Sequence, residues 1–359
     1  MPRSVRFLAS VLLCGALLFL VGCPPGPGVV VVGGPYAPRG AKGGGNGKAT
    51  PTPRPAKGVA ANGAHLGTPV LERVQWPAAA SGADLLAVAA LSSSHSLAVG
   101  VPGAAWTDGA SVRVAPFPDG IADAVWSDGS DFAVAVGYGG IAYLWNGKTW
   151  SAAPTGTDAD LHAVWGTTRG GARVVYAGGA KGTVLSLSAA GTWTKMSAPE
   201  NAVVSVFAGA GDKVWAAGQL ASGEPSDGVI LRLDGDKWVD ACHDLACGGA
   251  IYAAWASGPD DLWTGGAGGE LVHYAGGQPE LLRTGTRGAI TAIWGTSPSD
   301  VFVAGDAGFF LWWNGKAWSP LAVGEDDLRG VSGLPSGEGW VVGANGTIRR
   351  ITRRANGGS

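Results

Sequence analysis

Seven copies of one short pattern, spaced at about 40 residues, leave this chain few folds to choose from. The clearest copy is Ile290-Thr-Ala-Ile-Trp-Gly295, then Asp300-Val-Phe-Val-Ala-Gly305, then Trp313-Asn-Gly-Lys-Ala-Trp318. Leu161-His-Ala-Val-Trp165 and Ile251-Tyr-Ala-Ala-Trp255 repeat its first part. Anchoring on the residue before the tryptophan marks Val88, Val125, Val164, Val206, Ala254, Ile293 and Val331. Each unit reads as four short strands, A to D. Strand A is the apolar stretch around the anchor. Strand B ends on Gly100, Gly137, Gly178, Gly218, Gly266, Gly305 or Gly343. Strand C runs into Asn146-Gly147, Asp234-Gly235 or Asn314-Gly315, pairs that favour type I′ turns, and strand D opens on Trp150, Trp193, Trp238 or Trp318. Period and strand count specify an all-β, seven-bladed propeller of four-stranded antiparallel blades.

The columns beside the anchor carry physical expectations. The residue before it is small in every unit: Ala87, Ala124, Ala163, Ser205, Ala253, Ala292 and Gly330. Inner strands crowd an axis, where only small side chains fit. The residue after it is Trp126, Trp165, Phe207, Trp255 or Trp294, an aromatic wedge between sheets. Units one and seven have Ala89 and Ser332 there, which predicts a looser seam between them. The last unit lacks strand D, and an orphan segment, residues 70–77, precedes the first strand A. That segment is expected to be blade seven's outer strand, closing the ring and limiting exposed edges.

The Trp145-Asn-Gly-Lys-Thr-Trp150 and Trp313-Asn-Gly-Lys-Ala-Trp318 turns resemble degenerate Asp-box (BNR-type) repeats. The array as a whole resembles bacterial propellers of the photosystem-assembly-factor type and the Val-Trp-Gly repeat propellers of secreted lipoproteins. The resemblance spans residues 70–354. It implies architecture and carries over no catalytic residue, because Asn146 and Asn314 replace the Asp-box aspartate and unit five has Gly276-Gly277-Gln278.

The N-terminus addresses location. A basic start, an apolar run over residues 7–21 and small residues at a cut make residues 1–22 a secretory signal. Leu20-Val21-Gly22-Cys23 resembles the bacterial lipobox. That resemblance implies that Cys23 becomes the lipid-carrying N-terminus, anchored by several acyl chains (the alternative is a plain secretory signal). The expected location is the cell envelope, on the periplasmic or surface side of a bacterial membrane. Residues 23–69 are Gly- and Pro-rich, and all charge before Glu72 is basic, which reads as a flexible tether. It is either a solvated spacer or lies along an anionic membrane surface. Residues 70–355 form the propeller, and 356–359 an unstructured tail.

Of four cysteines, Cys14 leaves with the signal and Cys23 takes lipid. Cys242 and Cys247 remain, and an oxidising compartment makes a local disulfide the default. His243 and Asp244 lie between them, so a metal site is the alternative, but other ligands are distant in sequence. No metal or cofactor is expected. A net charge of −2 offers no general attraction to nucleic acid.

Function is less legible. No nucleophile elbow, phosphate loop or His-Glu-x-x-His sequence occurs. Two residues before the anchor lies the most variable column: Leu86, Asp123, His162, Val204, Tyr252, Thr291 and Arg329. Within a constant frame, such a column is where a scaffold specialises. Asp123, His162, Tyr252, Thr291 and Arg329 are therefore candidates for a ligand ring at the channel mouth; the bland alternative is a wet channel. Trp106, Trp312 and Trp340 fit the repeat less well and are candidate exposed aromatic contacts; packing explains the other tryptophans. The arginines at 349, 350, 353 and 354 read as a solvated last strand or an anionic docking edge. The expectation is a monomeric, membrane-anchored platform that binds an envelope protein or glycan. The alternative is a sugar-active hydrolase or lyase with its site at the channel mouth.

Overall fold

The computed structural model describes residues 66–354, apart from 75–81, 102, 108–110, 116, 118–119, 223–226, 246 and 277. The signal, Cys23, nearly all of the tether and the tail lie outside the described residues.

Seven four-stranded antiparallel sheets form the molecule. Blade six is typical: Ile290–Ser297, Asp300–Gly305, Phe310–Trp313 and Trp318–Pro320 are strands A to D, each paired to the next in sequence. Strand A of every blade packs beside strand A of the next, and blade seven meets blade one. Blade seven takes its outer strand from the start of the domain. Thr68–Arg73 pairs with Ile348–Arg354, with Thr68 opposite Arg354 and Arg73 opposite Arg349. Closure is thus as the sequence predicts, with the strand two residues earlier than expected at its start.

Strand A carries a β-bulge in all seven blades. The skipped residues are Leu86, Asp123, His162, Ser205, Tyr252, Thr291 and Arg329. In six blades this is the variable column. Blade four departs from the sequence alignment by one residue: Val204 pairs with Gly218, as Leu161 pairs with Gly179 and Ile290 with Gly305. Its anchor is therefore Phe207, its wedge position Ala208 and its column residue Ser205. Val204, fully buried, belongs to the apolar column with Leu161 and Ile290. The small column then contains Val206 in blade four, opposite Ala217.

The glycine ending strand B is imposed by close approach. A Cβ at Gly100, Gly137, Gly179, Gly218, Gly266, Gly305 or Gly343 would lie 1.9–2.3 Å from a carbonyl oxygen at the entry to strand A. Blade three fulfils this role with Gly179 rather than Gly178. The C–D turns are not type I′: positive φ falls on Gly147, Gly235 and Gly315 but not on Asn146, Asp234 or Asn314. The Asn146 and Asn314 side-chain oxygens instead accept the N–H groups of the two residues after each glycine.

The wedge column obeys a pairing rule. Trp126, Trp165, Trp255 and Trp294 lie against Gly166, Gly209, Gly295 and Gly333 of the following blade, where a Cβ would come within 2.3–2.9 Å of the indole. Where the wedge is small (Ala89, Ala208, Ser332), the facing residue is Ser127, Ala256 or Ala90. The seam between blades seven and one is not loose. Trp340 stands opposite Ser332 on strand B, is 0% exposed, and fills the gap. The Ala90 N–H also donates to Ser332 Oγ across this seam at 2.9 Å. Arg353 ties the closure from outside. Its guanidinium donates to Asp300 Oδ2 of blade six at 2.7 Å, to the Gly337 carbonyl at 2.8 Å and to the Gly67 carbonyl at 3.3 Å. Arg350 meets Glu72 and Glu338. These two arginines are therefore part of the closure.

Candidate functional site

Bulges re-aim side chains, and here they bring the variable column to one end of the ring axis. Asp123 and His162, on the inner strands of blades two and three, meet there: His162 Nδ1 lies 2.8 Å from Asp123 Oδ2, and both side chains are at most 5% exposed. Burial pushes the Asp123 carboxyl above its ordinary range, against the opposing pull of its His162 bond and charge. A buried carboxylate with a histidine partner is affordable where either group alone would be costly.

The other ring candidates have partners of their own. Thr291 is turned to the backbone of blade seven: its hydroxyl donates to the Leu328 carbonyl at 2.6 Å. Arg329 pairs with Asp327 at 3.5 Å. Tyr252 is half-buried, and its hydroxyl is pushed above the ordinary tyrosine range by burial and then by the Asp306 charge. Among the bulge residues Asp123 is the one carboxylate, and the Asp160 charge at the entry to blade three's inner strand also acts on it.

Two further residues lie beside the Asp123–His162 pair. Tyr138 opens the B–C turn of blade two, is 41% exposed, and sets its ring 6.1 Å from the His162 ring in an edge-on contact. Burial, then the Asp123 and Asp160 charges, push its hydroxyl up. Asp160 accepts the Gly139 N–H at 2.8 Å and so links blade three to the turn of blade two. Asp327 does the same for Ala307, at 2.9 Å. Alignment of the B–C turns would have singled out Tyr138, because Ala180, Ala267 and Ala344 occupy its position in sister blades.

None of the three candidate tryptophans is an exposed platform. Trp340 is fully buried in the seven–one seam. Trp312 is half-buried; its Nε1 donates to Asp300 Oδ1 at 2.7 Å, and the Arg353 guanidinium lies 5.9 Å from its ring. Trp106 is half-buried against the Trp145 ring, with Arg113 on its face. Tyr138 is the exposed large aromatic among the described residues. Cys242 and Cys247 are joined by a disulfide beside the short helical turn Cys242–Leu245. No cluster of metal-ligating side chains occurs among the described residues.

No family model matches the chain, and no curated protein matches it. Solved propellers do. "YCF48 bound to D1 peptide" is 18% identical with a TM-score of 0.62, covering 79% of this chain and 97% of that one. "YCF48 from Cyanidioschyzon merolae" is 15% identical, with a TM-score of 0.57, over 78% and 98%. "Crystal structure of RRP9 WD40 repeats" is 11% identical, with a TM-score of 0.64, over 79% and 97%. A photosystem-assembly propeller and a WD40 propeller are thus about equally similar, and at these identities what they share with this chain is the fold.

Proposed function

We propose that this protein is a membrane-tethered interaction platform at the bacterial cell envelope, and that it takes a protein partner at the mouth beside Asp123, His162 and Tyr138. The observation that carries this reading is the bulge column. Seven blades repeat one frame, and the residues that vary are delivered to one end of the axis. There, a buried polar pair lies beneath an exposed tyrosine, the combination of fixed polar groups and amphipathic aromatic that partner recognition favours. The photosystem-assembly neighbour that carries a bound peptide supports a protein rather than a glycan partner. Cys23 anchors the chain through lipid, and the 23–69 tether gives the propeller reach from the membrane.

A photo-crosslinking residue at Tyr138 tests the site. In intact cells it should yield one discrete protein adduct, and the same group at exposed Leu281 on blade five should not. Equal labelling at both positions, or none at Tyr138, refutes the reading. Cys23→Ser tests the anchor: the variant should appear in the soluble fraction, and sedimentation with membranes after a high-salt wash would refute lipid attachment.

A further inference from the structure

Among the described residues, three of the four exposed large apolar side chains lie at the mouth end of blades one and two. Val101 follows Gly100 at the end of strand B in blade one, as Tyr138 follows Gly137 in blade two. Ile121 precedes strand A of blade two, and its carbonyl accepts the Tyr138 N–H at 3.3 Å. Strand B of blade one packs on strand A of blade two, so the three belong to adjoining elements. The fourth, Leu281, sits apart on the outer strand of blade five. Apolar exposure is thus gathered at the mouth, which is where a partner would cover it. Its surroundings are acidic. The inner strands of blades one to three are entered through Asp84, Asp123, Asp158 and Asp160, with His162 as the basic group among them. Lys181, on the B–C turn of blade three, is exposed and reaches Asp158 at 4.0 Å. Asp84 accepts the Asn345 N–H at 3.4 Å, and Asp160 accepts the Gly139 N–H at 2.8 Å. Neither of these two carboxylates has a cation partner among the described residues. The Tyr138 hydroxyl is pushed up by burial and then by Asp123 and Asp160, so both charges acting on it are negative.

We propose that this apolar strip takes an arginine or lysine side chain of the partner, with its head group between the Tyr138 ring and Asp160 and an aliphatic neighbour on Ile121 and Val101. This chemistry rests on the mouth being where the partner docks. Apolar burial alone does not choose the occupant; the charges around it do. A neutral or acidic aliphatic segment would desolvate Asp84 and Asp160 without neutralising them. A cationic side chain meets the carboxylates with opposite charge, and an exposed tyrosine ring attracts it further. Its methylene stem covers apolar surface while the head stays at the polar rim. Arginine and lysine are the side chains that combine such a stem with a positive charge.

The N-acetyl amides of leucyl-arginine and leucyl-citrulline are suitable probes, since they differ in charge and hardly in shape. Each is titrated into the full chain and followed by saturation-transfer NMR. The arginine form should bind with a Kd on the order of 1 mM, and the citrulline form about tenfold more weakly. Asp160→Asn keeps an acceptor for the Gly139 N–H but removes the charge, and should shrink that ratio to about twofold. Tyr138→Ala should weaken the arginine form about fivefold, and Ile121→Ser should weaken both forms by a similar factor. No saturation transfer from the arginine form at about 10 mM, on the order of ten times that Kd, overturns the proposal. So does equal binding of the two forms, or an unchanged ratio in Asp160→Asn. The cellular crosslink at Tyr138 separates this result from the wider reading. A discrete adduct with equal binding of the two probes keeps the docking site and overturns its cationic chemistry. A charge-dependent ratio without an adduct supports the cation site and refutes the protein platform. Asp160→Asn is nearly isosteric and retains the turn's hydrogen bond, so it decides even where a larger substitution unfolds the blade.

Discussion

The seam between blades six and seven and the seam between seven and one are filled by different means. In the first, Trp294 of one inner strand lies against Gly333 of the next, and the glycine exists because a Cβ there would lie 2.4 Å from the ring. In the second, the wedge is Ser332 and the facing residue Ala90. The large side chain has moved one strand outward, to Trp340, and a buried hydrogen bond joins the two inner strands. The two solutions differ in which strand carries the indole. Where an indole fills a seam it comes from strand A or strand B and the facing residue is sized to match; the one–two seam, with Ala89 opposite Leu97, has none on either strand. The four–five seam carries Trp215 on strand B opposite Ala208, and a cleft of about 210 Å³ lies between these two blades.

The largest test removes the strand that makes a seven–one seam possible. Deleting residues 66–73 should leave blade seven with an open edge and prevent cooperative folding, whereas deleting 24–64 should leave the melting temperature unchanged. Equal melting temperatures would mean that the ring closes in some other way. Next come the indoles. Trp294→Ala and Trp340→Ala should each cost about 3–5 kcal/mol in denaturant unfolding. A cost below about 1 kcal/mol at Trp340 would break the equivalence, since that is the range of a neutral surface change rather than a core cavity. Overpacking should cost less: Gly166→Ala should lose about 1–3 kcal/mol, and the loss should shrink when combined with Trp126→Ala, because the clash partner is gone. Ser332→Ala leaves the buried Ala90 N–H without its acceptor and should cost about 1–3 kcal/mol, with no counterpart at the six–seven seam.

The smallest effect is in acid. Burial pushes the Asp261 carboxyl up, but hydrogen bonds from His273, Ser257 and Trp263 outweigh it and hold the group below the ordinary carboxylate range. A lowered value in the fold means that its contribution is present above the unfolded value and is lost as pH falls through the folded one. Asp261→Asn should therefore flatten the acid limb of the stability profile, and an unchanged limb would show that this pin on Trp263 is not what acid releases.

Much of this was readable from residues alone. Period, strand count and closure follow from positions such as Trp294, Gly305 and the missing last strand. The wedge rule was present as Trp165-Gly166 and Trp294-Gly295, although each glycine serves the indole of the preceding blade, which a linear reading does not reveal. Blade four was misread because Phe207 satisfies an aromatic pattern at either of two adjacent positions. A one-residue slip exchanges the faces of a strand, and only pairing with Gly218 decides it.

The sequence by itself determined a seven-bladed all-β ring closed by its own N-terminal strand, because periodic apolar spacing and turn glycines are local signals that repetition reinforces. The tertiary structure decided what those signals do not encode. It brought Asp123 to His162 across 39 positions, turned Thr291 away to a neighbouring backbone, sank Trp340 into a seam and left a cleft between blades four and five. Each depends on how one blade meets the next, and that contact is set by volumes and bulge directions on two different strands at once.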